Sequence, residues 1–229
     1  MCIRDRASAD HMGTFWASSY VLNTAGYVLQ KSGVLRYSFT KNDLTARFRH
    51  HLNTTCSLFD GCIGALVPPV GKMYPNASVE IEMHSSASPV AGINAQNLTG
   101  NFAGVAVLRA RLTDGSLAHL FSLNVTAKIT VTLRLDGTVL KATVAFMENT
   151  LAVVDSSVGP ITTTFLGLAF DVAKNKFIIP KLNEAGEEGF PLPTVGHVRF
   201  TNAGLELEND CVRVFTDVTY SSITMYFQP

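Results

Sequence analysis

At 229 residues the chain is long enough to bury one sizeable core, and 47% apolar against 16% charged residues excludes a disordered polypeptide. Its 18 basic side chains cancel its 18 acidic ones, which leaves no electrostatic footprint for nucleic acid or an anionic membrane surface. No apolar run approaches the ~20 residues of a membrane helix, so no transmembrane segment is expected.

The opening Met1-Cys-Ile-Arg-Asp-Arg6 fits nothing that follows and reads as translated adapter sequence. Residues 1–13 are therefore expected to be non-native or disordered, with one domain over 14–229. The spacing of Trp16, Tyr20 and Tyr27, with Ala17, Val21 and Val28 beside them, predicts an amphipathic helix over 14–32. Gly33 stands where a helix stop belongs. From Val34 the period becomes two, with Leu35, Tyr37 and Phe39 alternating against Arg36, Ser38 and Thr40. Residues 41–56 are polar, basic and aperiodic, and the apolar stretch 58–74 carries Gly61, Gly64, Pro68 and Pro69, which predicts a short, broken helix. Val79, Ile81 and Met83 then alternate with Glu80, Glu82 and His84 in a strand with one wet face.

The clearest local signal lies between two Asp-Gly turns, Asp114-Gly115 and Asp136-Gly137. Every odd position from Leu123 to Leu135 is apolar and every even one polar, and alternating segments flank both turns. This predicts a three-stranded antiparallel meander with one dry face, and a bulge near Met147–Thr150 where the phase slips. A straight strand from 117 to 135 would span roughly 60 Å, longer than the roughly 45 Å diameter of a compact body of this size. The domain should be elongated or its sheet strongly coiled. Pro160 then opens a second helix, in which Ile161, Phe165, Leu168, Val172 and Ile179 keep a helical period. Pro180 is expected to kink or end it, residues 183–189 to form a polar break, and strands to follow near 195–200, 204–208 and 211–220. The fold class expected is α+β: an elongated tubular barrel, a long coiled antiparallel sheet wrapped around two long helices.

Cys56 and Cys62 lie six apart in a loop-like stretch where a short disulfide and buried reduced thiols are equally good readings. Asn53, Asn76, Asn97 and Asn124 each open an Asn-x-Ser/Thr sequon, a hint of the secretory pathway, with Asn124 the poorest acceptor because it lies inside a strand pattern. No nucleophile elbow, phosphate loop or zinc-helix motif occurs. The histidines, including the adjacent His50 and His51, lack ligand spacing, and the carboxylates Glu80, Glu82, Glu206 and Glu208 occupy wet strand faces. No metal site, cofactor or catalytic activity is expected. The basic stretch Arg47-Phe-Arg-His-His51 suits phosphate, although a solvated loop is the plainer reading.

The order of segments resembles the C-terminal half of the family that contains bactericidal/permeability-increasing, lipopolysaccharide-binding and phospholipid and cholesteryl ester transfer proteins. The residues that carry this are Ser19–Tyr27, Gly33–Leu35, Leu66–Val70, Met73–Asn76, Ser157–Pro160, Ile178–Asn183 and Gly189–Pro193. The resemblance implies a boomerang of two similar barrels, each with an apolar lipid pocket. It implies extracellular lipid or endotoxin binding in innate defence, or lipid transfer, and no catalysis. Only one of the two halves is present, so the family's basic endotoxin-binding tip and its characteristic disulfide are not carried over, and Cys56 and Cys62 match no family cysteine. The expectation is a secreted, extracellular domain that holds phospholipid or lipopolysaccharide acyl chains, with an N-terminal barrel of the same protein as its partner. Its lipid-binding wall would comprise Tyr20, Val21, Thr24, Val28, Phe165, Leu168 and Val172, and Asn53, Asn76 and Asn97 would be its glycosylation sites. The competing readings are a lipid-transfer domain and a structural or partner-docking half without its own ligand.

Overall fold

The computed structural model describes residues 11–57, 60–192 and 198–220, and the backbone alone at 163, 165 and 169. The expected non-native start lies outside the described residues as far as residue 10. From there the chain is part of the fold, because His11 lies against Phe215 with ring centroids 4.5 Å apart. The first element is β1 (Gly13–Ser18) and not the expected helix start. Its Thr-Phe-Trp run favours an extended chain, and it pairs antiparallel with the far end of the sequence, Gly13 opposite Thr216 and Ser18 opposite Cys211. Helix α1 begins only at Ser19 and runs to Lys31, and Gly33 ends it at φ +74°.

β2 (Arg36–Phe39) follows, then 3-10 turns at Lys41–Asp43 and Ala46–Leu52. The apolar stretch expected to form a broken helix contains α2 (Ile63–Leu66) and α3 (Pro68–Met73). The sheet is then built in order by β3 (Ser78–Ser85), β4 (Val90–Ile93), β5 (Leu98–Arg111), β6 (Leu117–Asp136) and β7 (Val139–Ser156). Both Asp-Gly turns form, with Gly115 at φ +85° and Gly137 at +60°. β6 is 20 residues long, so its length demands curvature. Register shifts supply it: Leu120, Met147 and Val154 each stand unpaired between neighbouring ladder pairs. The bulge at Met147 falls where the apolar phase slips.

Helix α4 (Thr163–Ala173) continues through a π-helical turn at Lys174–Ile178 into α5 (Ile179–Glu188). Pro180 was expected to kink or stop this helix and residues 183–189 to interrupt it; the helix does not stop, and it runs on through Glu188. The widened turn directly before Pro180 makes room for its ring, and Pro180 falls in the first turn of α5, where no intrahelical donor is required. β8 (Phe190–Pro191), β9 (Val198–Glu208) and β10 (Cys211–Tyr220) complete the chain. β9 joins what the pattern divided into two strands; Asn202, at φ +51°, bulges where they meet, and residues 195–197 lie outside the described residues.

The antiparallel strands divide between two sheets where one was expected. The larger runs β2-β3-β5-β6-β7-β8, with β4 on the same edge of β5 as β3, and the smaller is β1-β10-β9. The larger sheet curls into a half-barrel whose core includes the fully buried Val70, Val79, Leu120 and Phe121. A second cluster joins Val212 and Val214 of the small sheet to Ile93 and Leu98.

The two long helices cover sheet edges with one four-residue pattern. In α1 it is Asn23-Thr-Ala-Gly26, lying on the free edge of β4. The Asn23 side chain accepts from Ala91 N–H (2.7 Å) and donates to Ala91 O (3.2 Å), and a Cβ on Gly26 would stand 2.9 Å from Pro89 O. In α5 it is Asn183-Glu-Ala-Gly186, lying on the free edge of β7. Val144 N–H donates to Asn183 Oδ1 (2.7 Å), and a Cβ on Gly186 would stand 2.0 Å from Ala142 O. Residues three apart share a helix face, so each pattern supplies a polar group for an otherwise bare strand edge and a gap that lets the backbones meet.

Candidate functional site: an apolar lumen closed by a helix

The helix α4–α5 turns the half-barrel into a closed body. On one side it is fixed to β7 by Asn183 and by Lys174, whose Nζ donates to Asn149 Oδ1 at 3.0 Å. On the other side Phe177 lies edge-on to Phe48 at 5.1 Å and 6.2 Å from Phe39 of β2. Between helix and sheet lies a cavity of about 190 Å³. Its floor is the dry face of the sheet, including Ile81, Leu108, Leu123 and Leu151; its roof is Leu166, Phe170, Ala173 and Phe177; Ile63 and Leu66 of α2 close one side. His51, at its rim, is among the described residues the one lining side chain that carries a polar group. A second apolar cavity, about 420 Å³, lies against Val34–Tyr37, β3, β5 and β6, and the two share Met83, Ala106 and Val125. A dry apolar cavity of ~150 Å³ already admits a benzene-sized guest.

Charges are kept on the convex face. Glu82 accepts from Arg109 at 2.6 Å and lies 3.4 Å from Arg36. The hydrogen bond from Arg109 holds the Glu82 carboxyl below the usual carboxylate range. Arg111 grips Glu80 on the same face. His119, read from sequence as isolated, lies between Ser157 and Ser122 at 3.0 Å each, with Asp155 at 3.7 Å, also on the outer side with Arg109.

The expected wall is only partly brought to the lumen. Val172 lines the cavity while remaining 46% exposed. Leu168 faces outward, and the Phe165 side chain lies outside the described residues. Tyr20, Val21, Thr24 and Val28 are exposed on α1, which lies on the outer edge of the sheet and not inside it; Thr24 donates to Tyr20 O instead. The stripe that does face the lumen, Leu166, Phe170, Ala173 and Phe177, is offset by one or two residues from the expected stripe. Its spacing is equally helical, and an all-round apolar helix carries no signal that selects between the two. Cys56 and Cys62 are bonded to each other. The loop they close sets Gly61 on the cavity wall, where its carbonyl lies 3.1 Å from His51 Nδ1. Of the sequon asparagines, Asn76, Asn97 and Asn124 are exposed and Asn53 is half-buried. Among the described residues no cluster of side chains could hold a metal ion, and no helix is long and apolar enough to cross a membrane.

Residues 7–220 match the sequence profile of the LBP / BPI / CETP family, C-terminal domain. The chain belongs to that family. Similar family members include the bactericidal permeability-increasing protein of Sebastes schlegelii, 25% identical over 204 residues, which cover 89% of this chain and 42% of the relative. The human lipopolysaccharide-binding protein is 23% identical over 209 residues, 91% of this chain and 42% of the relative. The chain thus spans less than half the length of the relatives it matches. Its fold matches the crystal structure of lipopolysaccharide binding protein with a TM-score of 0.66 at 19% identity, over 96% of this chain and 46% of that one. The helix-closed, curled sheet is the tubular barrel of the LBP / BPI / CETP family.

Proposed function

We propose that this domain is part of a secreted protein that holds the acyl chains of phospholipid or lipopolysaccharide in the lumen, in the manner of an innate-defence lipid binder. The observation that carries this reading is a cavity walled by hydrocarbon, with His51 in its wall, beside a second, mainly apolar cavity that also meets Arg36, His84 and Ser85. Each methylene moved from water into such a lumen contributes about 0.8 kcal/mol. Desolvation alone therefore drives binding, and no bond is made or broken. Val172 and the stripe from Leu166 to Phe177 form the roof in this reading. The Cys56–Cys62 bond and the exposed Asn76 and Asn97 support secretion and glycosylation. An N-terminal barrel of the same protein is the partner the family relationship supports.

Organic extraction of the purified protein followed by mass spectrometry tests the reading. Stoichiometric lipid is expected from the wild type and a large loss from Val125→Phe, which fills the wall shared by both cavities. A wild type recovered free of lipid would overturn it. A second reading, a docking half without its own ligand, is favoured by one observation: the outward face of α1 exposes Tyr20, Val21, Tyr27 and Val28 together.

A further inference from the structure

We propose that the 3-10 segment Ala46–Leu52 is a headgroup site that selects anionic, phosphate-bearing lipids at the mouth of the lumen. The inference rests on the lumen holding acyl chains and adds which lipids it prefers. The segment is amphipathic across the cavity rim. Leu52 and the preceding Leu44 are buried and line the cavity, and Phe48 joins the lumen through Phe177. His51 is half-buried at the rim, stacked on Phe48 at 5.9 Å and 4.0 Å from the His50 ring. Arg47 and Arg49 are exposed.

Both guanidinium groups are tied to the rim and not to an acid. Arg47 lies over the Phe48 ring at 5.8 Å, and Arg49 donates through Nε to Leu44 O at 3.2 Å, leaving its terminal N–H groups directed elsewhere. The carboxylates nearest in the chain are already engaged. Asp43 accepts from the Thr40 N–H and hydroxyl, and Asp60 accepts from Ser57 N–H. Among the described residues neither arginine has an ion-pair partner, whereas Arg36, Arg109, Arg111, Arg134 and Arg213 all do. His51 lines the hydrocarbon cavity, and the exposed Arg47 and Arg49, without an ion-pair partner among the described residues, lie beside it in the chain on Phe48 and Leu44, a combination that matches an amphiphile whose polar end is a phosphate. In a chain of zero net charge, this preference is local and not a consequence of the overall field.

The test presents the protein with vesicles of equal parts dioleoyl phosphatidylglycerol and dioleoyl phosphatidylcholine, then quantifies the lipids retained after repurification. Exposed ion pairs support an enrichment of phosphatidylglycerol of about three- to tenfold. It should shrink in 0.5 M salt and vanish in R47Q/R49Q. Equal retention of both lipids by the wild type, or an enrichment the double variant keeps, would overturn the headgroup site and leave the lumen reading intact. Retention of no lipid at all would overturn the lumen reading itself. Displacement by soluble glycerol 3-phosphate at the same phosphate concentration would show a site for free phosphate esters and would overturn the assignment to lipid. The salt dependence is read on the wild type alone and stands even if the double variant does not fold.

Discussion

Helices α1 and α4–α5 grip the sheet in the same way and end up in different surroundings. Each presents Asn-x-Ala-Gly to a strand edge, with the asparagine bonded to the exposed backbone and the glycine against a carbonyl. Behind the grip of α5 lie α4 and the π-helical turn, whose stripe from Leu166 to Phe177 looks onto the concave face of the sheet. α1 has no such extension. Its grip on β4 leaves Tyr20, 77% exposed, and its apolar neighbours pointing away from the sheet. An apolar helix face is therefore no sign of a lumen by itself; the position of the helix relative to the curl of the sheet decides.

Variants can break this comparison at different costs. Gly186→Ala should be the most damaging, by about 3 kcal/mol or more, because the new methyl group would lie 2.0 Å from a carbonyl oxygen. Gly26→Ala, at 2.9 Å, should cost about 1–2 kcal/mol in the same denaturant titration. Equal costs would mean that the two grips are not graded by closeness. Leu166→Ala should cost about 2–3 kcal/mol, the low end for a buried leucine since the site already borders a cavity. Val28→Ala should stay within about 0.5 kcal/mol, and a larger loss would place α1 inside a core. Asn183→Ala leaves the Val144 N–H without its acceptor and should cost about 1–2 kcal/mol. Asn23→Ala, which removes two bonds at a part-buried edge, should cost a similar amount.

The smallest expected effect is of pH, and it separates the helices most cleanly. Arg134 bonds Glu187 of α5 and holds its carboxyl below the ordinary value of 4.5, with Lys141 3.9 Å away. A depressed pKa contributes stability that is present above the unfolded value and is lost as pH falls through the folded one. α1 carries no carboxylate. Hydrogen-exchange protection, corrected for intrinsic rates, should therefore fall in α5 and not in α1 as pH drops below about 4.5. A parallel fall in both helices would count against this difference.

Much of the fold was legible because strand alternation and Asp-Gly turns are local signals. The meander, its length and the slip at Met147 all follow from side-chain parity. α4 was legible as a helix but not in its rotation, since apolar residues occupy most of its faces, and the second half of α5 was read as a polar break. The passage of the helix through Pro180 depends on a π turn that no periodicity announces. The roles of Asn23 and Asn183 were not legible, because their partners are backbone groups far away in sequence. Arg47 and Arg49 read as a solvated loop for the same reason: contacts distant in sequence, such as that between Phe48 and Phe177, bring that loop to the cavity.

The most direct test is photo-crosslinking with a phospholipid carrying a diazirine at mid-chain, followed by peptide mapping of the labelled residues. Labels should fall on the helix and sheet residues that line the lumen, among them Phe170, Phe177 and Leu151. Labels confined to Tyr20, Val21 and Val28 on the outer face of α1 would contradict the account.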